Sequence, residues 1–103
     1  MENSYFIIAA DWWTNHLPSL VDESKVEMFR MLLQVEIKRQ VEKFGFTVLS
    51  VNTRPDITLE NICKECGIDD SSHIFKDVVM MQIKADSIVI FSRQNYIHQI
   101  FPT

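Results

Sequence analysis

Between Asp22 and Gly45 the apolar residues Val26, Phe29, Leu33, Ile37, Val41 and Phe44 recur every three or four positions. Directly after Gly45 the recurrence shortens to every second residue. A helix this long must lay its apolar stripe on another element, and the strand that follows at once offers a nearby surface. The pattern therefore predicts helices packed on a sheet. Met28, Leu32 and Val35 widen the stripe, while Glu27, Arg30, Glu36, Lys38, Arg39, Glu42 and Lys43 fall mainly outside it. Asp22 or Ser24 can cap the start, and Ser24 with Glu27 has capping-box spacing. Gly45 suits a left-handed cap at the end.

The remaining elements follow from the same two periods. Phe6, Ala9, Ala10, Trp13 and Leu17 mark a first helix, capped by Asn3 or Ser4 and stopped before Pro18. After the long helix, residues 46–51 read as a strand with Leu49 and Val51 facing the core. The turn Asn52-Thr53-Arg54-Pro55-Asp56 leads into a helix capped by Asp56 or Thr58 and stopped at Gly67, with Leu59, Ile62, Cys63 and Cys66 on one side. Asp69 to Ser72 would cap a short helical turn through Phe75. Two strands follow, 78–85 and 88–92, around the tight turn Ala85-Asp86-Ser87. Tyr96, Ile97, Ile100 and Phe101 are too apolar for a free tail, which would pack as an edge strand or a last helical turn. The expected fold is one α+β domain over residues 1–103, with the helices on one side of a small antiparallel sheet.

Composition narrows the function classes. The chain has 103 residues, 47% hydrophobic, with a net charge of −4. That balance opposes a protein that binds nucleic acid by neutralising phosphates. Arg30, Lys38, Arg39 and Lys43 share one helix with Glu27, Glu36 and Glu42, as expected of a solvated face with intrahelical pairs. No apolar run approaches the roughly 20 residues of a membrane helix. Glu2 stands where a secretory leader would carry basic residues, and two cysteines fit a reducing compartment, so a cytoplasmic protein is expected.

Chemistry-bearing motifs are sparse. Cys63-Lys64-Glu65-Cys66 is a C-x-x-C with His73 seven residues beyond, but zinc takes about four ligands and no second pair is present. Both cysteines lie on the apolar side of their helix, so buried structural thiols are expected. A small metal-binding or hydrolytic protein using Cys63, Cys66 and His73 is the alternative. His16, His73 and His98 are dispersed, and Asp69, Asp70 and Asp77 near His73 are better explained as caps. No glycine-rich phosphate loop or nucleophile motif occurs. No cofactor, metal site or catalytic residue is therefore assigned.

Trp12 and Trp13 are the most informative pair, because adjacent helical residues project about 100° apart. Trp13 is assigned to the core with Phe6 and Leu17. Tyr5, Ile8 and Trp12 form the neighbouring side and are assigned to a protein partner, since Trp and Tyr dominate interface hot spots. Met80-Met81 and the outward residues of the last strands are read first as core packing, with adaptable apolar contact as the other use.

The order of these segments resembles a known module. Ala10-Asp11-Trp12-Trp13, then Val21-Asp22-x-x-Lys25-x-x-x-Phe29, Val51-Asn52, Cys66-Gly67-Ile68 and Ala85-Asp86-Ser87 resemble the N-terminal domain of the BTG/Tob antiproliferative family. That resemblance implies an adaptor whose partner is a cytoplasmic deadenylase. Short acidic proteins with an Ala-Asp-Trp-Trp helix are also similar to products of bacterial mobile elements and phages, among them anti-CRISPR inhibitors. Both resemblances imply a non-catalytic module that modulates or inhibits a protein partner, such as a nuclease or another nucleic-acid-processing enzyme. A homodimer through the first helix is a further expectation.

Overall fold

The computed structural model describes residues 5–19, 21–52, 55–68, 79–92 and 97–102. Its elements are α1 (Tyr5–Thr14), α2 (Glu23–Phe44), β1 (Thr47–Val51), α3 (Ile57–Glu65), β2 (Val79–Lys84), β3 (Ser87–Ser92) and β4 (Ile97–Phe101). The fold is α+β, as the two periods predict. The four strands pair antiparallel in the order β1-β2-β3-β4.

α2 forms because its stripe is long and its end is well closed. Phe29, Leu33, Ile37 and Val41 are buried. Gly45 takes a left-handed conformation, φ 89°, and its N–H bonds the Val41 carbonyl at 2.8 Å. The expected capping box does not form: Asp22 is the N-cap without a side-chain bond to the helix. Ser24 lies inside the first turn rather than at the cap, and donates its hydroxyl to the Asp22 carboxylate. Met28 and Val35 also depart from expectation, standing 47% and 66% exposed. The stripe is wider than the single contact face that α2 offers, so its margins stay in solvent.

Register decides what each strand buries. Thr47, Leu49 and Val51 lie opposite Ile83, Met81 and Val79, which in turn meet Ile88, Ile90 and Ser92. The buried members of that face join residues from all three helices in one core. α1 runs antiparallel to α2, with Lys38 over the Phe6 ring and Asp11 paired to Arg30 at 3.1 Å. α3 is capped by the Asp56 carboxylate, which accepts the Leu59 N–H at 2.9 Å. At its other end the Lys25 ammonium donates to the Gly67 carbonyl at 2.9 Å, tying α3 back to α2. The tail resolves as an edge strand, β4, with a register shift opposite Ile88 and Val89. The short helical turn expected at 69–75 lies outside the described residues.

Two substitutions test this account by thermal or urea unfolding. Leu33→Ala should cost about 2–5 kcal/mol, since it empties a fully buried site. Asp56→Ala should cost about 1–2 kcal/mol through loss of the cap.

Candidate partner-binding surface

The structure separates the residues assigned to a partner. Tyr5 is 3% exposed and belongs to the core, which corrects its assignment as a surface anchor. Ile8 and Trp12 are half-buried and pack against that core. The physical reason is that α1 lies against α2 and also against β2 and β3, so its buried arc covers more than one face. Tyr5, Ala9, Ala10, Trp13 and Thr14 fill the arc, and Thr14 satisfies its hydroxyl by donating to the Ala10 carbonyl at 2.7 Å. Burial and the nearby Glu42 carboxylate push the Tyr5 hydroxyl above its ordinary pKa.

The two indoles divide as adjacent helical positions should. Trp13 is fully buried, as assigned. Trp12 leans edge-on against Trp13, with ring centres 5.0 Å apart, and stacks on His16 at 3.9 Å. The His16 ring is held there by a 2.7 Å hydrogen bond between Nδ1 and the Trp12 carbonyl. On α1 the exposed large apolar side chain is Ile7, which the periodicity did not single out.

The C-x-x-C is built into the core. Cys63 and Cys66 are free thiols, and both are buried. Burial, reinforced by Cys66 and Glu60, pushes the Cys63 thiol up to about 12. Burial, with Glu65, raises Cys66 as well. Neutral, enclosed thiols are poor nucleophiles and poor metal ligands. His73, the third member of that alternative, lies outside the described residues. Among the described residues no three His, Cys, Asp or Glu side chains gather as a metal site.

The basic residues of α2 are engaged. Arg39 pairs with Glu36 at 2.6 Å, Lys38 with Glu42 at 3.7 Å, and Arg30 bonds both Glu27 and Asp11. This is the solvated, internally paired face that the charge pattern predicts.

The surface that emerges lies on the far side of the sheet. Cross-strand pairing sets Ser50, Met80, Phe91 and Ile97 in one row, and Val48, Gln82, Val89 and Gln99 in the next. Met80 is 41% exposed and Ile97 63%, with Val48 also exposed and Phe91 half-buried. The helices occupy the opposite face. Met80 and Met81 thus split: Met81 is in the core, and Met80 stands exposed. The signal for this was present in the alternation of residues 79–84, but sequence spacing cannot say which strands become neighbours.

No known family model matches this chain, and no curated protein matches it either.

Two measurements follow. Trp13→Ala should cost about 3–5 kcal/mol, and Trp12→Ala about half as much, in chemical unfolding. Because the folded Cys63 thiol is raised, stability should be full below the unfolded thiol's pKa and fall as pH rises from about 9 towards about 12. The slope of stability against pH in that window should be shallower in Cys63→Ala.

Proposed function

We propose that this protein is a non-catalytic binding module that docks a protein partner on the open face of its sheet and so modulates or inhibits it. The observation that carries the reading is the apolar row Met80–Phe91–Ile97, continuous across β2, β3 and β4 and facing solvent. Water-facing apolar side chains joined across strands are costly to keep unless something covers them. A thioether and an aromatic ring on a stiff sheet make a surface that adapts in detail while holding its shape. The proposed surface lies on the last strands rather than on the first helix, where Tyr5 is buried and Ile8 and Trp12 are half-buried.

Buried, protonated thiols and paired surface charges support a surface that recognises rather than reacts. The partner class we propose is a nucleic-acid-processing enzyme, following the BTG/Tob-like and phage-inhibitor resemblances of the sequence. No helix among the described residues is long and apolar enough to cross a membrane.

The test places a photo-crosslinking amino acid at Met80, and at the exposed Lys64 of α3 as a control. The captured partner is identified, prepared free of crosslink, and its affinity for the wild type and variants measured by calorimetry. Met80→Asp should weaken binding by about tenfold or more while leaving the fold intact. An equal loss with Ile7→Asp and none with Met80→Asp would place the contact on α1 and overturn the proposed surface.

A further inference from the structure

The strands of the sheet are almost free of charge. In a chain with 14 acidic and 10 basic residues, β1 to β4 contain no Asp, Glu or Arg and a single lysine, Lys84. Burial alternates along β2, so Lys84 stands on the same side as Met80 and Gln82, on the open face. It is exposed, and among the described residues its ammonium makes no hydrogen bond or ion pair. The cations of the helical side differ: Lys25, Arg30, Lys38 and Arg39 are each held by a carbonyl or a carboxylate. Asp86, the acid nearest in sequence, lies in the turn between β2 and β3 and pairs with no cation among the described residues.

An unpaired ammonium on an otherwise uncharged face decides what can be laid over it. Covering it without an anion strips water from a charge, which is costly. A carboxylate offsets that cost better than an amide or a hydroxyl, because charge-assisted hydrogen bonds are the stronger ones. The chain's net charge of −4 makes a carboxylate unwelcome over most of the surface, so Lys84 fixes where one can land. Position matters as well. Lys84 is four residues beyond Met80 along β2, about 13 Å at the rise of a strand. The row of Met80, Phe91 and Ile97 thus lies at one end of the face and the cation at the other. Two opposite ways of laying an element on the face, similar on apolar grounds, become unequal.

We propose that the protein partner of the open face brings a carboxylate to Lys84, about 13 Å from the apolar group that it sets on the row of Met80, Phe91 and Ile97. This ion pair presupposes that a partner docks on the face, and it adds the chemistry and the direction of docking. Lys84 is the last residue of β2, so the pair stays partly in water. It selects and orients the partner, while the apolar row supplies most of the affinity.

The test uses the partner captured at Met80 and a water-soluble carbodiimide, which joins an ammonium to a touching carboxylate as an amide. Peptide mapping should place the join between Lys84 and an Asp or Glu of the partner. In calorimetry, Lys84→Glu should weaken binding by about tenfold and Lys84→Arg by less than about threefold. Changing the partner's mapped carboxylate to Lys should recover most of the loss in Lys84→Glu. Circular dichroism confirms that each variant is folded. Unchanged affinity in Lys84→Glu, where Met80→Asp abolishes binding, overturns the ion pair and leaves the docking face standing. So does a map with no join at Lys84, or a loss that the partner's reversal does not recover. A partner indifferent to Met80→Asp, or no partner captured there, overturns both.

Discussion

Burial of one stripe of α2 against α1, α3 and the sheet organises this protein. Phe29, Leu33, Ile37 and Val41 are all within the core that also holds Leu49, Met81, Ile83 and Ile88. A helix of 22 residues is about 33 Å long, matching the molecule's longest dimension. Every other element meets α2 or the sheet beneath it. α1 lies along it, α3 reaches it, and β1 leaves its end through Gly45. Helices of this composition are marginal in isolation, so packing of the stripe stabilises α2 far more than its intrinsic propensity does.

Polar contacts then set the angles between the packed elements. Gln40 donates to Glu36 at 2.6 Å and accepts from the Thr47 hydroxyl, joining the end of α2 to the start of β1. Thr47 is buried, so this bond spares a hydroxyl that would otherwise be desolvated without a partner. Asp56 joins β1 to α3 in the same way, through bonds to Ser50 and Leu59. Arg30 links α2 to α1 through Asp11. Each is individually small beside the core, but each fixes one junction and leaves the neighbouring strand edge in a definite state.

The consequence is a molecule with two unlike sides. One side is helical, charged and internally paired. The other is a sheet face whose apolar row has no helix above it among the described residues. Function is proposed for that second side because apolar side chains there face water. The first helix, by contrast, spends its aromatic residues inside. Trp13 and Tyr5 are closed off, and Trp12 is held between Trp13 and His16.

The periods of the sequence determine the elements. The three-to-four spacing of Val26 to Val41, the cap at Gly45, the cap at Asp56 and the alternation through Leu49, Met81 and Ile83 are local, and each can be read without knowing the partner. The burial of Cys63 and Cys66 is legible for the same reason, since both lie on the apolar side of α3. The side of α1 that faces outward is not legible. Tyr5 reads as an interface residue because spacing gives directions around one helix axis, whereas burial depends on how many neighbours surround that axis. The open surface is likewise a product of pairing: Met80, Phe91 and Ile97 are far apart in the chain and become one row only when β2, β3 and β4 align. Local sequence sets the phase of each element, and tertiary structure alone sets which phases meet, because side-chain neighbours across strands are chosen by register and not by distance along the chain.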